Sequence, residues 1–196
     1  ANLKGHSYGI TLCGKNHFGS FINGNTMRPP EGANLHQWLT KSEMGIYSPL
    51  VDLMANADLG GKTVLYMLDA LICAPSEGAS ITAKNSKWRQ APFHRDYTSS
   101  IFVSQDPVAI DSVGADFLNN EPTVTRNNGS AADITNENYL HEAGLVSNAP
   151  SGTVYTDGNG HAVSNLGVHE HWNNSKQKLY SRNLGKKEGI ELVQIK

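Results

Sequence analysis

The stretch Gly9 to Ser20, GITLCGKNHFGS, constrains this chain more than any other. Within twelve positions it combines an apolar run, two glycines, a lysine, an asparagine and a histidine. Ile10 and Leu12 alternate with Thr11 and Cys13, the pattern of a half-buried strand. Gly14 and Gly19 permit close backbone approach. Lys15 is then a point cation at a strand end, Asn16 donates and accepts, and His17 titrates or ligates. Such a group can hold a phosphate or carboxylate. A strand running into a polar turn, with Lys15 solvated, accounts for the same residues.

Residues 1–20 are expected to be extended up to this motif. Residues 23–34, with Gly24, Pro29, Pro30 and Gly32, are expected to be a loop. Leu35 to Leu39 is a short helix or loop. Ser48-Pro49 suits a helix start, and Leu50, Leu53, Met54 and Ala57 recur at helical spacing. Lys62 to Ala70 is the expected buried strand, centred on Thr63 to Leu68 and delivering Asp69 at or just past its carboxyl end, where ligands gather in open α/β sheets. A long polar connection over 74–96 suits a lid or a surface insertion. Ile101-Phe102-Val103 forms a further strand, then Asp106 caps a helix with Pro107 in its first turn, running to about Asn119. Thr135 to Val146 is a second such helix. Thr156 to Gly160, TDGNG, is a hairpin turn signal. It fails as an EF-hand loop, because Ala162 stands where glycine is required and Val168 where the bidentate glutamate is required. Leu166 to Trp172 and Ile190 to Ile195 read as strands. No repeat or linker interrupts the chain. The expectation is one α/β domain over 1–196, with a mixed, mostly parallel sheet flanked by helices, long loops and a C-terminal β-hairpin.

Composition limits the function classes. At 38% hydrophobic, 17% charged and net charge −2, the chain has a globular rather than a disordered balance. No Lys/Arg cluster makes a nucleic-acid footprint, and no apolar run approaches the roughly 18 residues of a membrane span. Cys13 and Cys73 lie in apolar runs and read as buried thiols; a disulfide needs their strands to be neighbours. Two cysteines cannot ligate an ordinary iron–sulfur cluster, and they exclude a Cys-rich zinc site. The chain opens with neither methionine nor signal peptide, so an upstream piece is expected. Low charge with abundant Asn, Gly and Ser favours an extracytoplasmic setting.

Three clusters can carry chemistry. In Gly167-Val168-His169-Glu170-His171-Trp172, an extended backbone turns His169 and His171 to one face and Glu170 to the other. Two such imidazoles can bracket a metal, with His6, His17, His94, Asp69 or Asp111 as third ligand, or can be hydrogen-bonded rim histidines. In Asp106 to Asp111 the first carboxylate is explained by capping. Asp111 lies about 140° round the helix from it, facing solvent or a lysine of the central stretch. Lys4 and His6 share a strand face and, with Lys15, can make a positive cradle. No Walker loop, dinucleotide fingerprint or nucleophile elbow is present.

Leu3-Lys4-Gly5-His6, Gly9-Ile10-Thr11-Leu12 with Lys15-Asn16 and Gly19, Leu68-Asp69, and Ser104-Gln105-Asp106-Pro107-Val108-Ala109-Ile110-Asp111 occur in that order. The pattern, over about residues 1–145, resembles the DUF362 family, a bacterial and archaeal domain of unknown function. The tail with His169 to Asn174 is similar to a secreted or envelope branch. The resemblance implies the C-terminal part of a longer domain, partnered by an N-terminal segment of the same protein. It carries over Lys4, His6, Lys15, Asn16, Asp69, Asp106 and Asp111 as motif positions. Relatives fused to ferredoxin-type modules exist, but this chain has too few cysteines for such a cluster.

The combined expectation is a small-anion-handling, metal-assisted enzyme or ligand-binding domain. Lys15, His6, His17, Asp69 and Asp111 are its candidate catalytic groups, and Lys4, Asn16 and Asp106 would hold the ligand. His169 and His171 would hold a divalent metal. The alternative is a non-catalytic extracytoplasmic domain in which His169, His171, Trp88, Trp172 and Tyr66 are packing or glycan-contacting groups.

Overall fold

A computed structural model of the chain describes residues 1–4, 12–20, 43–76, 79–124 and 135–195. His6, the loop expected over 23–34 and the Leu35–Leu39 segment lie outside these residues.

Cys13–Ser20 is a 3₁₀ helix, so the central motif is a helical turn from Cys13 onward and not the end of a strand. Its first amides meet a carboxylate from elsewhere in the chain, which favours a helical start over an extended one. Helix α1 (Pro49–Ala55) follows, with Pro49 in its first turn; the Ser48 side chain makes no cap bond, and the Ser48 N–H donates to Tyr155 Oη. Strand β1 (Tyr66–Ala70) begins four residues after the expected start at Lys62. Tyr66, Leu68 and Ala70 face inward, while Val64, Leu65 and Met67 are exposed, so this strand is buried on one face only.

Strand β2 (Ser100–Ser104) pairs with β1 antiparallel, Tyr66 opposite Ser104 and Leu68 opposite Phe102. Among the described residues the sheet has these two strands, and Asn2 adds one parallel bridge to Asp69. The expected mostly parallel sheet is therefore corrected. A parallel pair needs a crossover that carries the chain back along the sheet, usually on a helix. Here helix α2 (Ala83–Ser86) is a single turn, and the connection returns to its own starting point. The Ser99 N–H donates to Leu71 O, and Cys73 Sγ lies 3.2 Å from Thr98 Oγ1, closing the loop at its mouth. The second half of the 74–96 connection is anchored to the core. Trp88 is fully buried, Phe93 packs edge-on to it, and buried Glu121 accepts the N–H groups of Arg89 and Gln90.

Helix α3 (Pro107–Asn120) crosses the inner face of the sheet. Gly114 sets the approach: a Cβ there would lie 2.5 Å from Leu12 Cδ1 and 3.0 Å from Leu68 Cδ1. Helix α4 is Asn138–Gly144, shorter than the expected 135–146. Asn136 Oδ1 accepts the first helical N–H, that of Asn138. Asn138 in turn accepts from Gly45 and Ile46 and donates to Ile46 O. Beyond α4 a short 3₁₀ turn, Val146–Asn148, leads into irregular chain. Thr156 and Ala162 form a lone antiparallel bridge at the expected hairpin, and 166–172 and 190–195 carry no strand. Cys13 and Cys73 are buried free thiols. Among the described residues no helix is long and apolar enough to cross a membrane.

Candidate functional site

Helix α3 is the structural axis of both polar regions. Its cap is Asp106, whose Oδ1 accepts the N–H groups of Val108 and Ala109. Its Oδ2 accepts the Val168 N–H at 3.0 Å. One carboxylate thus starts the helix and pins the segment that presents the two histidines. Gly167 makes the contact feasible, because a Cβ there would stand 2.0 Å from Asp106 Oδ1.

His169 and His171 face one side, as an extended backbone requires, with ring centroids 5.1 Å apart. Glu170 points away and accepts from Ser181 and from the Ile190 N–H. Each imidazole is oriented by α3. The Ser112 hydroxyl donates to Val108 O at 2.8 Å, so it can only accept from His169 Nδ1, 2.9 Å away. His171 Nδ1 donates to Asp116 Oδ1 at 2.8 Å. Asp116 is itself buried and fixed by the Trp172 N–H and the Tyr180 hydroxyl. With both Nδ1 atoms committed, both Nε2 atoms turn toward Glu137 Oε2, at 3.7 Å for His169 and 3.1 Å for His171. Ligand atoms of Glu137, His169 and His171 all lie within 4.8 Å of one another, a spacing that can hold a metal ion. His169 is partly buried, and desolvation lowers its pKa to about 4, keeping it neutral. His171 hydrogen-bonds to Asp116 and Glu137, which raise its pKa to about 10. Both carboxylates thus favour the charged form of His171.

Glu137 was not among the third ligands named from the sequence. It falls within the helix expected over 135–146, whereas it is the N-cap residue of α4. No local pattern points to it; the packing of α4 against 166–169 brings it to the histidines. Those named residues that are described lie elsewhere. His17 Nε2 is 3.2 Å from Thr63 Oγ1, while Asp69 and His94 are exposed. Asp69 accepts the Leu71 N–H.

Asp111 is fully buried and belongs to the other side of α3, about 140° round the helix from Asp116. It meets the backbone of the central motif: Cys13 N–H donates to Oδ1 at 2.8 Å and Gly14 N–H to Oδ2 at 2.9 Å. Tyr139 Oη lies 3.3 Å from Oδ2. This carboxylate caps the 3₁₀ helix from a distance in sequence. Burial outweighs those donors and raises its pKa to about 6. Lys4, Lys15 and His17 are half-buried and Asn16 is exposed. The structure thus brings Asp111 to the central motif and His169 to His171, but on different sides of α3.

A family model described as a domain of unknown function, DUF362, matches residues 1–116. No curated protein and no solved structure matches the chain.

Proposed function

Since the chain belongs to the DUF362 family, whose function is unknown, its activity must be argued from its own residues, and we propose a metal-assisted domain that handles a small anionic ligand. The observation that carries this reading is the clustering of three potential ligand atoms within 4.8 Å of one another. Two are imidazole nitrogens whose outer nitrogens are already committed, and the third is a carboxylate oxygen. A cation is the ordinary solution for such a set. Two imidazoles and one carboxylate suit zinc-like ions, with a position left open for water or an anion. The outer contacts to Ser112 and Asp116 are those that orient metal-bound histidines. Asp116 closes the matched stretch, while Glu137, His169 and His171 lie beyond it.

Lys4, Lys15, Asn16, His17 and Asp69 stay in the proposal as a separate ligand-holding set, on the motif pattern alone. Asp106 and Asp111 contribute as scaffold. Their engagement by backbone amides favours a second reading, in which the domain binds or supports without catalysing. Tyr66 and Trp88 are buried packing groups in either case.

Elemental analysis and titration separate the two. Chelator-treated protein reloaded with Zn²⁺ or Co²⁺ is expected to retain about one equivalent, and the ion to raise the melting temperature, because an ion that binds only the folded state stabilises it. His169→Ala, His171→Ala and Glu137→Ala should each weaken retention by about a hundredfold or more. Absence of retained metal in the unaltered chain, with no shift in melting, refutes the metal reading and leaves the second.

A further inference from the structure

Beside the three clustered atoms stands a fourth group with no task. His141 is four residues from Glu137, and its N–H closes the first turn of α4 on Glu137 O. Residues at this spacing share a helix face. The His141 ring lies edge-on to His169 with centroids 4.7 Å apart, so His169 is flanked by His171 and His141. Gly144, one turn on, lets α4 press against this segment; a Cβ there would be 3.1 Å from His169 Cβ. The Leu166 N–H donates to Ala143 O and fixes the same contact. Among the described residues, neither ring nitrogen of His141 has a hydrogen-bond partner. His169 and His171 differ from it in having both nitrogens accounted for.

An imidazole that is half-buried and unpartnered beside a metal-type centre is suited to hold what the metal holds. Its nitrogen is not within the 4.8 Å set formed by the other three residues, which argues against a role as a ligand to the ion. We propose that His141 is a ligand-binding residue of this centre, donating an N–H to a small oxyanion seated at the open coordination position. Either protonation state of the ring offers a donor, so the role does not depend on its titration. The inference rests on the metal-assisted reading and adds the group that selects for an oxyanion.

The test uses Co²⁺ as a visible-absorption probe and inorganic phosphate as the anion, on the full chain and on His141→Ala and His141→Gln. His141→Ala is expected to bind Co²⁺ within about threefold of the unaltered chain and phosphate about tenfold more weakly, as loss of a hydrogen bond to a charged group implies. His141→Gln keeps an N–H donor and should recover part of the loss. Equal phosphate affinity in all three proteins overturns the proposal. A fall of more than about tenfold in Co²⁺ affinity on His141→Ala overturns it differently, by making the residue a metal ligand. A Co²⁺ complex of the unaltered chain whose spectrum phosphate does not move removes His141's role and leaves the metal centre standing. Failure of the unaltered chain to bind Co²⁺ refutes the metal reading and this proposal with it.

Discussion

Gly167→Ala should unseat the histidine segment and cost substantial stability. The new Cβ would stand 2.0 Å from Asp106 Oδ1, 2.7 Å from Asp106 Cγ and 2.9 Å from Val108 Cβ. Asp106 cannot swing aside cheaply, because the same carboxylate caps α3 through Val108 and Ala109 and holds Val168. Relief requires loss of the cap, worth about 1–2 kcal/mol, or outward movement of 167–168 with loss of its packing. Overpacking of this kind adds about 1–3 kcal/mol. A total of about 3 kcal/mol or more is therefore expected from urea unfolding. Co²⁺ affinity should fall by at least about tenfold, since His169 and His171 follow Gly167 directly. A variant that melts and binds like the unaltered chain would show that the segment is not pinned through Asp106.

Asp111→Ala is expected to be of similar size, with a pH signature. Removal of the carboxylate leaves the buried Cys13 and Gly14 N–H groups without their acceptor. Each such loss costs about 1–3 kcal/mol. The carboxyl group itself has a folded-state pKa of about 6, above its ordinary 3.8, because burial disfavours its charge. A carboxyl raised on folding contributes stability that is fully present below about pH 4 and lost as pH rises through about 6. The groups facing it are the Cys13 thiol, the Cys13 and Gly14 amides and Tyr139, and both the thiol and the phenol titrate far above this window. The unaltered chain should therefore lose on the order of 3 kcal/mol across that window from this group, a slope that Asp111→Ala lacks. The substitution should accordingly cost more at pH 4 than at pH 7. Chemical denaturation at both values measures the difference, and an equal cost at both would refute the buried-carboxylate account.

Features that depend on neighbours in sequence were legible from the chain alone. Asp106-Pro107 specifies a capped helix whatever surrounds it, and α3 begins there. Pro49 marks the start of α1, and the period-two placement of His169 and His171 put both rings on one side. The errors lie where distant partners decide. Val64 and Leu65 look like core by composition, yet they are exposed ahead of a strand covered on one face. The direction of β2 depends on how the 71–99 connection closes on itself, through the Ser99–Leu71 bond and the burial of Trp88. Cys13 begins a helix because Asp111, far along the chain, accepts its N–H. Glu137 joins the histidines only through the packing of α4 against 166–169, which no local pattern encodes.

The double engagement of Asp106 has a dynamic counterpart. Three backbone protons, those of Val108, Ala109 and Val168, depend on a single side chain. Any fluctuation that rotates that side chain releases all of them at once, although one lies sixty residues from the others in sequence. In deuterated solvent their exchange should thus report one shared opening event, with protection rising or falling in step across conditions. The first turn of α3 and the histidine-bearing tail would then melt as a single cooperative unit.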